Sequence, residues 1–225
     1  MSERANILAR IREALAVPTR HGPQLRPGSA PVGVDSVLPS VPATVEERWA
    51  RFEAEARELR AEVRRLSGVA EVPAVLRSLQ AEEGWARVAS HRAALTEPAV
   101  GSLGLPVVWM EDGPEAGTIE SCPVGISECD CLVAQTGSVV VTSRSAGGRT
   151  LSVLPPHHVV LARLDQLVGG LPEAFALLAG KYGSDYPSMI SFITGPSRTG
   201  DIERILVLGA HGPRRLTVLC ISGAA

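Results

Sequence analysis

The sequence predicts an α/β fold, a mixed sheet flanked by helices, with an N-terminal helical extension. Three observations lead there. Short apolar runs bounded by glycine and proline recur in the second half, at Leu132–Ala134, Val139–Val141 and Val159–Ala162. Such runs read as strands buried on both faces. Between residues 44 and 109, stretches with helical apolar spacing alternate with short strand-like runs, the order of an α/β layer. Finally, Ile205–Leu208 and Leu216–Ile221 are joined by a short Gly/Pro/Arg turn, which predicts an antiparallel pair at one end of the sheet.

In chain order, Ser2 caps a first helix to about Ala16, with Ile7, Leu8, Ile11 and Leu15 on one face. Residues 17–42 are rich in Pro, Gly and Ser and read as a linker, so the expected domains are residues 1–42 and residues 43–225. Thr44 and Glu47 form a capping box. A stripe of Val45, Trp49, Phe52, Ala56, Leu59, Val63 and Leu66 then predicts one helix running to Gly68, lying on a sheet or pairing as a coiled coil. Pro73 suits the first turn of another helix that stops at Gly84. Strands follow at Trp85–Ala89 and Val107–Trp109, with a helical turn at His91–Leu95 between them. Leu171–Lys181 reads as a helix with Leu171, Phe175, Leu178 and Ala179 inward, and Ser188–Thr194 as a strand.

Composition narrows the function by exclusion. The chain has 225 residues, 45% hydrophobic and 20% charged, with a formal net charge of -2. That balance gives no global attraction to nucleic acid or to an anionic membrane. No apolar run reaches the ~20 residues of a membrane-spanning helix, and the N-terminus lacks the apolar core of a secretory signal. Cys122, Cys129, Cys131 and Cys220 form neither a disulfide framework nor a zinc or iron–sulfur spacing, so no cofactor is assigned. A cytoplasmic protein with reduced thiols is expected.

The candidate site residues sit where apolar runs end. The Thr136-Gly137-Ser138 turn offers hydroxyls, amides and a permissive backbone for a carboxylate or phosphate, although a plain tight turn is the commoner origin of such residues. In the loop from Gly195 to Asp201, Arg198 supplies a bidentate fork, Ser197 and Thr199 add hydroxyls, and Asp201 orients Arg198; a structural Arg–Asp pair reads equally well. His157 and His158 are adjacent and therefore point to opposite faces of a strand, which makes them a poor metal pair. His157 and His211 are taken as site histidines. Arg144 and Arg149 flank Gly147-Gly148, either as guards of the site or as solvated charges. No nucleotide phosphate loop and no G-x-S-x-G elbow is present.

Taken together, Gly125-Ile126 through Cys129-Asp130, LVAQTGSVVVTSRSAGGR, LPPHHVV and GPSRTGDIERILVLGAHGPRRLTVL resemble the lactate-utilisation protein C family, the LUD-domain or YkgG-like group. The ordered blocks run from about Val124 to Ile221. The resemblance implies a NagB/RpiA/CoA-transferase-like fold. It also implies a part in oxidising L-lactate to pyruvate beside partner subunits that carry iron–sulfur clusters, this chain being the cluster-free member. It departs at Gln135, where the family often has glutamate. An amide cannot form the acyl anhydride of a CoA-transferase-like mechanism. The expected function is thus a lactate-utilisation component binding a small carboxylate or anionic cofactor at Thr136, Gly137, Ser138, His157, Arg198, Thr199, Asp201 and His211. An independent CoA-transferase or cyclo-ligase-like enzyme and a non-catalytic assembly subunit remain the alternatives.

Overall fold

Five of the longer apolar runs share one property: they stay apolar on consecutive positions, so as strands they need cover on both faces. The computed structural model, which describes residues 3–16, 40–200, 206–208 and 212–223, shows how this is met. The chain divides into two compact units, residues 1–39 and 40–225. The first contains helix α1, Glu3–Ala16, with Ile7, Leu8 and Ile11 exposed. The expected Ser2 cap, the Leu15 side chain and most of the Pro/Gly-rich stretch lie outside the described residues.

The second unit is built on a parallel sheet. Helix α2 (Val45–Glu58) opens with the Thr44/Glu47 capping box. Strand β1 (Glu62–Leu66), helix α3 (Val72–Glu83), β2 (Val88–Ser90), helix α4 (Thr96–Gly101) and β3 (Val107–Trp109) follow. A short helix α5 (Ala116–Glu120) leads to β4 (Val124–Glu128), and two further strands, β7 (His157–Arg163) and β12 (Arg215–Ile221), complete the sheet. Its order is β1-β12-β7-β4-β2-β3, and each pairing is parallel. One face carries α3 and α4 over Val124, Ile126, Val159, Leu161 and Leu219. The other face packs Val160, Ala162, Val218 and Cys220 against α2 and a second sheet.

That second sheet has the order β8-β5-β6-β9, where β5 is Cys131–Val133, β6 Ser138–Thr142, β8 Leu167–Val168 and β9 Ile190–Ile193. Helix α6 (Leu171–Tyr182) covers its outer side through Ala174, Leu178 and Tyr182. Phe175, expected inward, is 58% exposed. A small ribbon pairs β10 (Arg198–Gly200) with β11 (Leu206–Leu208).

Three expectations change. In place of a single mixed sheet the described residues form a wholly parallel sheet, a mixed one and the β10–β11 ribbon. The last two apolar runs do not form a hairpin: β11 pairs with β10, while β12 lies between β1 and β7. Six of the seven β12 residues are buried, which a central position satisfies and a hairpin edge would not. Finally, the long stripe breaks. Helix α2 ends at Glu58, Arg60 takes φ 65, and Val63 and Leu66 belong to β1. A spacing of three keeps two residues on one side of a helix but sends them to opposite sides of a strand. Here both sides are buried, Val63 facing the α2 layer and Leu66 the α3 layer, so the apolar pattern looks the same either way.

Candidate functional site

Alternation along β7 separates its two histidines. His157 faces the α3 layer, with Nδ1 3.0 Å from Glu83 Oε2 and Nε2 2.9 Å from Thr217 Oγ1. Its ring meets Trp85 edge-on at 5.6 Å. Burial pushes its pKa down, and the Glu83 carboxylate only partly opposes this. His158 points the other way, into the layer between the two sheets, and is fully buried. The neighbouring strand carries Gly125 in register with it. A Cβ there would stand 2.7 Å from the Leu151 carbonyl, so glycine is what lets the 151–155 loop pass beside this histidine.

The hydrogen bonds around His158 assign its tautomer. Its Nε2 lies 2.8 Å from Ser127 Oγ, and the Ser127 hydroxyl donates to the Glu128 carbonyl at 3.0 Å. One hydroxyl proton cannot serve both bonds, so His158 donates from Nε2 and its Nδ1 is left as a bare acceptor. That atom is buried and has no partner among the described residues. Burial, with a smaller push from His157, takes the His158 pKa down to about 3, so the ring is neutral. Ser152 Oγ is a second buried atom without a partner among the described residues. Both residues line one cavity of about 250 Å³, together with Thr194, Gly195, Ser197 and Leu216. A buried polar atom with no partner costs about 1–3 kcal/mol. Two of them beside one cavity mark the place where a ligand that can hydrogen-bond recovers that cost.

The cavity opens at the amino ends of β7 and β12, under two loops. Gly195 has φ 86, and a Cβ there would stand 2.9 Å from the Leu59 carbonyl. A Cβ on Gly212 would stand 3.1 Å from Ser197 Cβ. The Ser197 amide donates to the Pro213 carbonyl at 2.9 Å and ties the two loops together. The described lining carries no ionised side chain.

The predicted site residues fall in different places. Thr136 Oγ1, Ser138 Oγ and Thr194 Oγ1 form a hydroxyl chain with steps of 2.7 and 2.8 Å, and Thr194 reaches the cavity. Gly137 has φ 61, and a Cβ would lie 2.4 Å from the Ala56 amide nitrogen, so this glycine lets the turn press on α2. Arg198 donates from Nη2 to the Leu59 carbonyl and does not line the cavity. Thr199 is placed by its backbone, in register with Val207. Asp201 and His211 lie outside the described residues. The histidine brought to the cavity is His158 rather than His157. Strand alternation limited the choice to one of the pair, and which face held the cavity was a tertiary matter. Ser127 and Ser152 left no sequence signal at all, because each is one buried serine among many.

Gln135 lines neither this cavity nor its rim; its side-chain oxygen accepts the Leu171 amide at the start of α6, at 3.4 Å. The cysteines are free and buried, and burial raises the thiols of Cys131 and Cys220 to about 12, which suits packing rather than nucleophilic work. Among the described residues no group of three or more His, Cys, Asp or Glu side chains could hold a metal ion, and no helix is long and apolar enough to cross a membrane.

Comparison with known proteins agrees with the motif blocks. The LUD domain model matches residues 117–221. Lactate utilization protein C of Geobacillus sp. (strain WCH70) is 37% identical over 105 residues, 46% of this chain and 44% of that protein. The Bacillus subtilis (strain 168) protein of the same name is 29% identical over 144 residues, 56% of this chain and 60% of that one. The chain thus spans about half the length of the curated relatives it matches. The crystal structure of a DUF162 family protein from Deinococcus radiodurans superposes with a TM-score of 0.63 at 22% identity, over 80% of this chain and 99% of that one, which shows a shared fold. Residues 117–221 thus match the LUD domain, over the sheet that carries His158, and about half of the chain is similar to several lactate utilization protein C sequences.

Proposed function

We propose that this chain is the cluster-free, cytoplasmic component of an L-lactate-to-pyruvate oxidation system, and that the cavity beside His158 binds a small hydroxy carboxylate. The relatives' names support the system. The observation that supports the ligand is a pair of buried atoms without partners among the described residues, His158 Nδ1 and Ser152 Oγ, whose residues line one cavity. A neutral imidazole with a bare Nδ1 accepts a hydroxyl proton, which lactate has and pyruvate lacks. Ser152 and the Thr194–Ser197 rim offer hydroxyls to the carboxylate. Electron transfer belongs to partner subunits that carry iron–sulfur clusters; the role of this chain is to bind and orient.

The test is a thermal-shift series of the purified chain with L-lactate, pyruvate and propionate, repeated with Ser152→Ala and His158→Phe. A specific ligand adds roughly 2.7 kcal/mol at a hundredfold excess over its dissociation constant. L-lactate should stabilise the chain, propionate less so, and both variants should lose the difference. Equal shifts for lactate and propionate, or none with either, would overturn the ligand reading. A second reading, an assembly subunit without a ligand, is favoured by the exposed Ile7 and Ile11 of α1, at 55% and 49%. It predicts that removing residues 1–39 abolishes partner binding while cavity variants leave it intact.

A further inference from the structure

We infer that the carboxyl ends of β2 and β4 carry a second ligand site, for a small organic dianion (a phosphate ester or a dicarboxylate) that also bears a hydroxyl group. The topology points there first. From β2 the chain moves outward to β3, whereas from β4 the next strand of this sheet is β7, on the other side. Connections diverging from adjacent parallel strands leave a crevice at their carboxyl ends, where α/β folds bind ligands. A cavity of about 350 Å³ occupies that position, within the range of small-molecule pockets.

Its chemistry is unlike that of the His158 cavity. Glu128, the last residue of β4, and His91, the first after β2, line one side, with Arg92 beside them. Arg144, Lys181 and Tyr182 approach from the second sheet and α6. The three cations are already oriented. Arg92 lies over Trp109 at 4.8 Å and reaches Asp112 at 3.1 Å and Glu111 at 3.6 Å. Arg144 lies over Tyr182 at 5.3 Å and pairs with Asp185 at 2.7 Å. Lys181 is 2.6 Å from the buried Asp130. Asp112 and Asp185 are 63% and 83% exposed, so their pairs are surface pairs that contribute little and yield to an anion gripped by two guanidinium forks.

The hydroxyl end follows from Glu128. Its Oε1 accepts the Leu95 amide at 2.7 Å, which fixes the carboxylate in place, and its own amide donates to His91 Nε2 at 3.2 Å. His91 is therefore neutral, protonated on Nδ1, in keeping with the burial that lowers its pKa against Glu128 and Glu111. A fixed carboxylate with Arg92 beside it and Arg144 and Lys181 across the cavity suits a ligand that turns its negative charge to the cations and a hydroxyl donor to Glu128.

The experiment is calorimetric titration of the full chain with inorganic phosphate, glycerol phosphate, malate and succinate, at ionic strength matched with sodium chloride. Saturable binding of at least one dianion is expected. Arg144→Gln, which removes a surface pair and the guanidinium over Tyr182 and should fold normally, should weaken it about tenfold or more. Glu128→Gln should weaken glycerol phosphate and malate while leaving phosphate and succinate unchanged. Phosphate against succinate distinguishes a phosphate ester from a dicarboxylate. His158→Phe should leave these titrations unchanged. No saturable binding to the natural chain, or equal binding by Arg144→Gln, overturns the proposal. Loss of binding in His158→Phe but not in Arg144→Gln would instead assign the anion to the His158 cavity.

Discussion

Replacing His158 with glutamine should change the pH dependence of stability in a calculable way. The imidazole moves from an unfolded value of 6.5 to about 3 in the folded protein because it is buried. Between those values the unfolded chain binds a proton that the folded chain refuses, so stability rises with pH across this window and is lost as pH falls below 6.5. The full difference, reached only below about pH 3, is about 5 kcal/mol at 1.36 kcal/mol per unit. At about pH 5 the unfolded histidine is almost wholly protonated and the folded one is not, and the loss is about 2 kcal/mol. His91 and His157 are also lowered and act in the same direction, so the natural protein alone cannot isolate the effect. The variant can. Urea unfolding of both proteins at about pH 7.5 and pH 5 gives two differences, and the natural chain should lose about 2 kcal/mol more than the glutamine variant. Equal losses would refute the picture of a neutral, solvent-excluded His158 and, with it, the bare Nδ1 acceptor.

Other changes test the frame around the sites. Gly137→Ala places a side chain at φ 61, where the left-handed region alone costs about 1–2 kcal/mol, and its Cβ meets the Ala56 amide; the urea midpoint should fall by at least that much, and an unchanged midpoint would contradict the packing of this turn on α2. Tyr182→Phe removes the hydroxyl that donates to Asp130 at 2.6 Å, a hydrogen bond to a charged group worth about 1.5–3 kcal/mol. Burial alone would raise the Asp130 carboxyl, but bonds from Lys181, Ser145 and Tyr182 hold it below the usual range. Its contribution is therefore present above the unfolded carboxyl pKa and lost as pH falls through the folded one. Acid unfolding of the variant should begin at higher pH, and an unshifted acid transition would refute the network. Thr44→Ala removes the side chain that receives the Glu47 amide and should cost about 1 kcal/mol by thermal unfolding, without changing the circular dichroism of the folded state.

Much of the architecture was legible because it is local. The Thr44/Glu47 box, the Gly84 stop with φ 66 and the apolar runs of β6, β7 and β12 depend on neighbours a few residues apart. The motif blocks, from about Val124 to Ile221, likewise fall within the LUD domain match at residues 117–221. The stripe from Val45 to Leu66 misled for a physical reason: burial on both faces of β1 imitates the single face of a helix. Gly137 reads in sequence as a plain tight turn or as room for a ligand; in the fold its missing side chain makes room for α2.

By itself, then, the sequence determined where the chain turns, which runs need cover on both faces, the absence of metal-binding cysteine spacing, and that His157 and His158 part company across a strand. Only the tertiary structure decided which of the two faces a cavity, which strands neighbour β12, and that His91, Glu128, Arg144 and Lys181 converge at the carboxyl ends of β2 and β4. Side-chain direction follows from a dihedral period readable along the chain. Convergence of residues up to ninety positions apart depends on the order in which parallel strands assemble, and that order is set by which buried surfaces fit together rather than by any local pattern.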